Sequence, residues 1–522
     1  MRQPAGGRRA LWMLVLGIAA IAVIARLLPG ARTIDDAFIT FRYSRNLIEG
    51  AGFVYNTGVA TLGTTTPLWA LLMAATSFVL NGQDFQSYAL VWSALADGIS
   101  CALLFMLALR VTGSRFVAAM PALLYAIAPQ SVTFAVGGME TSLVVLWMFA
   151  ATTSYVYSPD DTRHARLWRI ALGVFVGLGL LTRVDSVLWS GPLLAWQAIE
   201  ALRKRARLPW ETWLAAALVV APFALYSTLT FGSPLPNSVT AKRYAYRVPE
   251  LGALTGFIQT YSNLFFTFDA FGSTGTMLSA LVVLTGWLFA LIRIPRLALR
   301  LLPLAAYPAL YAGAFIVLNP LMFRWYYAPP LGPLMLMVFI GLWALLKPLT
   351  ARPSGKRIAW GAIGLVAGLC VVSSLSAWTL HPDHGNDRPA PRMAWHQIEL
   401  HYQTVGEYLR NELGITPETR VASADIGAVG YFSRATIVDT VGLVTPELTA
   451  YYPVDDALFA SDQNYAVPPV LIYDTQPEYF VTMEGFIREG LAQQEAFLES
   501  YTLMREIPTD FYGTGMQVWA RN

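Results

Sequence analysis

The chain has 522 residues, 55% of them hydrophobic and only 13% charged, against roughly 45–50% and about 25% in soluble domains. That balance excludes an ordinary soluble protein and describes a polytopic α-helical membrane protein. A formal net charge of +3 gives no basis for nucleic-acid binding, and the two cysteines, Cys101 and Cys370, lie far apart inside apolar runs, so neither a disulfide framework nor a thiolate metal site follows.

In chain order, Arg2, Arg8 and Arg9 precede an apolar run over 11–28. It is long for a signal peptide and no small-residue cleavage site follows, so it reads as a retained signal anchor. Next comes the stretch 33–46, TIDDAFITFRYSRN. Asp35 and Asp36 open a predicted helix on which Arg42, Arg45 and Asn46 follow at helical spacing. About two turns separate Asp35 from Arg42, so both face one side. Charges this close to a bilayer are costly unless they are paired, solvated or used. The bland alternative is an interfacial loop that is polar because water is near.

With about 17–25 apolar residues per span as the template, about eleven transmembrane helices are predicted. They fall near 10–29, 86–109, 116–131, 142–158, 169–183, 186–201, 210–231, 272–292, 301–318, 328–346 and 358–378. Basic residues gather in alternate connections: after Arg2, around Arg110 and Arg115, Arg163 to Arg169, Arg203 to Arg207, Arg293 to Arg300, and Lys347 to Arg357. The positive-inside rule makes these cytoplasmic, with the N-terminus inside and the C-terminal part outside. The apolar segment 64–79 is then a juxtamembrane helix within a first outer loop of about 30–85, because counting it as a span would put the Arg clusters outside. Segment 251–268 reads as interfacial or re-entrant. The remaining polar stretches, at 137–141, 182–185, 234–247 and 319–327, fall on the outer side with Asp35 and are predicted to share one cavity.

The transmembrane domain is predicted over 1–379, with a polar linker over 380–397. In the linker, His381, Asp383 and His384 have a spacing open to a metal, but a solvated loop is the better reading. Residues 398–522 read as an extracytoplasmic α/β domain. Helical periodicity runs over 398–413 with Gly414 as a stop. Strands are expected at 420–423, 436–438, 479–482, 502–507 and 516–520, with a helix over 485–500.

Chemistry on a lipid-linked phosphate needs a carboxylate to take a proton from the incoming nucleophile and cations to hold the departing phosphate. Asp35 and Asp36 supply carboxylates. Arg42, Arg45, Arg183, Lys242, Arg243 and Arg324 supply cations. Each has a bland alternative. Arg42 and Arg45 pair Asp35 and Glu49 on a surface helix, Lys242 and Arg243 anchor headgroups, Arg183 pairs Asp185, and Glu140 sits at a helix N-terminus. Arg324 resists such a reading, being a lone charge between Phe323 and Trp325 at a membrane boundary. Asp425, Tyr431 and Asp439 read as structural, since Asp beside Gly often makes turns.

Taken together, DDAFITFRYSRNLIEGAGFVYNTG, TTTPLWALL, GGMETSL, LTRVDSVL, PLPNSVTAK, FRWYYAPPLGPL and DIGAVGYFSRATIVDTVGL resemble GT-C glycosyltransferases. The resemblance is to the group that holds the mycobacterial terminal arabinofuranosyltransferases and their bacterial relatives, and it covers nearly the whole chain. It implies a GT-C fold, a site at the outer face of a bacterial plasma membrane, a polyprenyl-phosphate sugar donor, and a cell-envelope glycan, lipid or protein acceptor. One of Asp35 and Asp36 would be the general base and Arg324 a donor-phosphate ligand. Glu140, Arg183, Asp185, Asn237, Lys242 and Tyr327 would be further cavity positions. A divalent metal beside Asp35 and Asp36 stays open, as relatives with pyrophosphate donors use one. Val184 stands where Pro is common, and the Gly-Thr run of GTTTPLW replaces a more polar segment, so arabinose itself does not follow. Two other classes compete: a transporter or flippase for the same lipids, which would place charges near the midplane between matching halves, and a non-catalytic envelope-assembly scaffold.

Overall fold

The computed structural model describes residues 5–159, 163–237, 241–242, 245–351, 353–380 and 388–522. Arg243 and the His381, Asp383 and His384 group lie outside the described residues. The helices are α1 (Ala5–Leu27), α2 (Asp35–Ile48), α3 (Pro67–Leu80), α4 (Phe85–Thr112), α5 (Arg115–Ile127), α6 (Pro129–Val136), α7 (Thr141–Tyr157), α8 (Arg163–Thr182), α9 (Val187–Arg203) and α10 (Trp210–Phe231). They continue as α11 (Gly252–Ser262), α12 (Phe268–Leu297), α13 (Leu302–Leu318), α14 (Leu331–Leu346), α15 (Pro353–Ser376), α16 (Gln397–Asn411), α17 (Gly427–Ser433), α18 (Pro469–Thr475) and α19 (Glu495–Ser500).

Among the described residues eight segments are long and apolar enough to cross a membrane, and the α5–α6 pair, bent by 48°, counts as a ninth when taken as one span. This is a multi-pass membrane protein. All eleven expected positions are helical, with α7 and α9, of 17 residues each, at the short end of the range for a span. The segments 64–79 and 251–268 form α3 and α11, of 14 and 11 residues.

The bend between α5 and α6 has a local cause. Pro129 brings no N–H for the Tyr125 carbonyl, and Ala128 leaves the helical region with ψ 129°. Arg26 of α1 meets the freed groups: its guanidinium donates to the carbonyls of Tyr125 (3.3 Å) and Ala126 and to Ser131 Oγ (3.1 Å). Its charge is matched by Asp97 of α4 at 2.9 Å, with both side chains at most 1% exposed. A backbone break at membrane depth is tolerated when another helix satisfies it in this way.

In the C-terminal α/β region, a two-residue pair, β1 (Trp378–Thr379) and β2 (Ala390–Pro391), precedes a sheet of β3 (Arg420–Ser423), β4 (Thr436–Asp439), β5 (Tyr479–Met483), β6 (Tyr501–Pro508) and β7 (Gly515–Arg521). Its order is β4-β3-β5-β7-β6. Strand β3 runs parallel to β4 and β5, and β7 antiparallel to β5 and β6. All five expected strands are present, and α16 ends before Gly414 at φ +64°. The expected helix over 485–500 is not continuous. Turns at Glu484–Phe486 and Leu491–Gln493 precede α19. Gly490 leaves helical geometry at ψ −102°, while Gly485 N–H and the Phe486 carbonyl bond Tyr512 and Val467 instead of helical neighbours.

Helix α2 joins the two parts. Its Phe38, Phe41 and Tyr43 belong to the same buried cluster as Tyr402, Val429, Ile437 and Phe480. Burying each such side chain is worth about 1.5–3 kcal/mol. Helix α2 is therefore as much core of the C-terminal region as roof of the bundle.

Candidate active site

Three segments fix the start of α2. The amides of Arg32 and Ile34 donate to the carbonyls of Val136 and Gly137, at 2.9 and 3.0 Å, laying the chain along the end of α6. Gly138, at φ +79°, lets the GGMET turn press on α2, where an added Cβ would stand 3.1 Å from that of Ala37. On the other side, α17 arrives end-on. A Cβ on Gly427 would lie 1.8 Å from the Asp35 carbonyl oxygen, so only glycine permits the approach. The Asp35 carboxylate then accepts Gly427 N–H at 2.9 Å and Ala428 N–H at 2.7 Å, the orphan donors of a helix N-terminus.

Asp36 points elsewhere. Its Oδ2 is 3.1 Å from Lys242 Nζ, with the two side chains 23% and 21% exposed. Lys242 in turn lies 4.5 Å over the Phe323 ring. Its own segment is held on the C-terminal region: Asn237 Nδ2 donates to the carbonyls of Gly442 (2.7 Å) and Leu443 (3.2 Å), and Tyr246 bridges Tyr465. A third carboxyl, Asp425, receives Tyr402 Oη at 2.5 Å. Burial and the charges of Asp425 and Asp36 push Asp35 well above the usual carboxylate range against its two N–H bonds. Burial likewise raises Asp425. Burial pulls Lys242 down, yet the Asp36 charge wins and holds it above its ordinary value.

A second charged group lies at the ends of α7 and α8. Arg183 grips Asp185 with two bonds of 3.0 and 2.6 Å and reaches Glu140 at 3.4 Å. Tyr311 Oη touches Asp185 Oδ2 at 3.2 Å and the Tyr326 carbonyl at 2.8 Å. The Tyr326 ring lies 4.8 Å beneath the Arg183 guanidinium. The segment 323–326 thus serves both groups, with Phe323 under Lys242 and Tyr326 under Arg183.

The fold has solved counterparts. The structure is similar to that of ArnT from Cupriavidus metallidurans bound to undecaprenyl phosphate, with a TM-score of 0.58 and 14% identity over 99% of this chain and 98% of that one. It is also similar to an Archaeoglobus fulgidus oligosaccharyltransferase in complex with Zn and sulfate, with a TM-score of 0.57 and 14% identity over 97% and 73%. In sequence, residues 53–226 match the family described as dolichyl-phosphate-mannose-protein mannosyltransferase. Residues 392–519 match a domain of unknown function. The fold is that of the GT-C glycosyltransferases. Over 221 residues the chain is 25% identical to the terminal β-(1→2)-arabinofuranosyltransferase of Mycobacterium tuberculosis, covering 40% of this chain and 34% of that protein. The chain thus aligns with about a third of the length of that curated relative.

On the GT-C framework, the expected cations separate. Arg42, 3% exposed, donates to the carbonyls of Tyr55 (2.8 Å), Gly430 (2.7 Å) and Ala435 (2.6 Å) and to Asn56 Oδ1 (3.2 Å). Arg45 donates to the Tyr431 carbonyl at 2.7 Å and lies over its ring. Both dock α2 onto the C-terminal region, and neither pairs Asp35. Glu49 pairs with Arg434 at 3.2 Å. Arg324 is exposed and donates to the carbonyls of Met393 (2.9 Å) and Trp395 (3.5 Å), bracing the linker. Tyr327 packs edge-on against Phe257 in the bundle core; its neighbour Tyr326 faces the charged groups. Asp439 accepts the N–H groups of Val441 and Val444, both at 2.9 Å, as a turn-maker should.

The acidic pair as placed does not fit a divalent ion. Both Asp35 oxygens face N–H donors and Asp36 faces an ammonium, and no group of three His, Cys, Asp or Glu is gathered among the described residues. Sequence reasoning missed Phe323 and Tyr326 as supports, and the nearness of Asp425 to the acidic pair. Only DIGAVG carried a signal for Asp425.

Proposed function

We propose that this chain is a membrane glycosyltransferase that moves a sugar from a polyprenyl-phosphate donor to a hydroxyl of a cell-envelope glycan, lipid or protein. The observation that carries the reading is the Asp36–Lys242 pair at the start of α2, partly exposed, with the ammonium lying over Phe323. Asp36 is the general base and Asp35 the positioning residue, because Asp35 spends both oxygens on α17. The donor phosphate takes Lys242 from Asp36, which frees the carboxylate to accept the acceptor hydroxyl's proton. The resulting oxygen attacks the anomeric carbon, the bond from that carbon to the phosphate oxygen breaks, and the prenyl phosphate leaves with its charge held by Lys242. Arg183 carries two carboxylates already and acts through Tyr326 as a support. Arg324 keeps the linker seated.

The sites lie on the outer face of a bacterial plasma membrane, as the alternation of basic connections supports. The partial identity with an arabinofuranosyltransferase makes a pentofuranose such as arabinose the first donor sugar to try. The experiment is transfer of labelled sugar from a panel of polyprenyl-phosphate donors in membranes, with wild type, Asp36→Asn and Asp35→Asn at matched expression. Asp36→Asn is expected to abolish transfer while donor binding persists. Asp35→Asn is expected to lower transfer together with stability. Normal transfer by Asp36→Asn would remove the base assignment.

A further inference from the structure

A cavity of about 330 Å³ opens beside the acidic pair, between residues 29–33, the first turn of α4 and helix α16. This volume is at the low end of small-molecule sites, about 300–1,000 Å³, and matches one or two sugar rings. Helix α16 supplies a whole wall, with Glu399, Leu400 and Gln403 on one stripe. Phe38 of α2, Gln86 of α4 and Arg388 of the linker complete it.

The wall chemistry selects among ligands. The guanidinium groups of Arg32 and Arg388 stand with the Glu399 carboxyl and the amides of Gln86 and Gln403, and amide, carboxyl and guanidinium groups together disfavour an acyl chain. A sugar hydroxyl, which donates and accepts at once, suits all three, with Phe38 and Leu400 for the ring's apolar face. Glu399 is the decisive residue. It is 7% exposed, lines the cavity, and keeps Oε2 without a hydrogen-bond partner among the described residues. A buried acceptor left open in this way is costly, and a hydroxyl donor would recover that cost. The backbone of Asp35 lies close enough to draw the proton affinity of Glu399 down, so whatever that carboxyl holds stands next to the motif.

We infer that this cavity is the acceptor subsite, in which helix α16 of the C-terminal region binds the hydroxyl-bearing sugar that is to be glycosylated. This rests on the transferase reading above. It makes the C-terminal region, rather than the bundle, the determinant of which acceptor is used.

The test reads binding without turnover, on full-length protein in nanodiscs, by saturation-transfer NMR with the methyl glycosides of arabinofuranose, mannose, glucose and galactose. Wild type is expected to bind at least one of them. Leu400→Trp, which fills the cavity, is expected to weaken that binding tenfold or more and Gln403→Ala to weaken it severalfold. Should Leu400→Trp fail to fold, Gln403→Ala decides. Absence of binding by wild type, or binding that survives both α16 variants, overturns the subsite. Wild type that binds through α16 and yet uses no donor would instead overturn the transferase reading and keep the sugar site.

Discussion

Arg42 offers the sharpest division between two readings of the acidic helix. As a phosphate ligand its loss would raise the donor KM and leave the fold alone. As placed, it is a buried clasp whose four hydrogen bonds reach three backbone carbonyls and Asn56. In Arg42→Leu the Tyr55 carbonyl keeps its bond from Asn46 at 2.9 Å, while those of Gly430 and Ala435 lose this donor. Two such losses cost about 2–6 kcal/mol, and relief of the buried guanidinium charge returns part of that. The net expectation is a destabilisation of about 3 kcal/mol, or roughly 10 °C in Tm for a region of this size. The assay is thermal unfolding of purified Arg42→Leu and Arg42→Lys, with limited proteolysis to follow release of the C-terminal region. Arg42→Lys is expected to lose nearly as much, since one ammonium does not span the fork. A wild-type Tm in Arg42→Leu with a raised donor KM would refute the clasp.

Gly427→Ala sets a methyl against the Asp35 carbonyl, so α17 must withdraw from α2. Overpacking of this kind costs about 1–3 kcal/mol, and transfer is expected to fall with Tm; an unchanged Tm and rate would mean that α17 does not seat Asp35. The carboxyl of Glu399 is pushed by burial to about 7 from an ordinary 4.5. A raised acid favours the folded state while protonated, so stability is full below pH 4.5 and declines as pH rises to 7. Glu399→Gln is therefore expected to match wild-type stability near pH 4.5 and exceed it above pH 7, by at most roughly 3 kcal/mol. A difference that stays flat across that range would place the carboxyl in water.

The membrane spans, the five strands and the helix opening on Asp35 and Asp36 were legible in the sequence because each rests on local pattern: apolar run length, two-residue alternation and acidic residues at a helix start. Local pattern also offered the Arg183–Asp185 pair, two residues apart, as the alternative to a substrate role. The roles of the cations were not legible in this way. Arg42 and Arg45 meet partners 386 to 393 positions away, and Asp35 meets α17 across 392 and 393. No spacing rule reaches that far. The continuous helix expected over 485–500 failed for the same reason, its backbone groups being claimed by segments distant in sequence. Tertiary structure alone decided that Lys242, and not the arginines of α2, faces the acidic pair. Buried guanidinium groups go wherever carbonyls satisfy them, and only the folded chain determines which carbonyls are near.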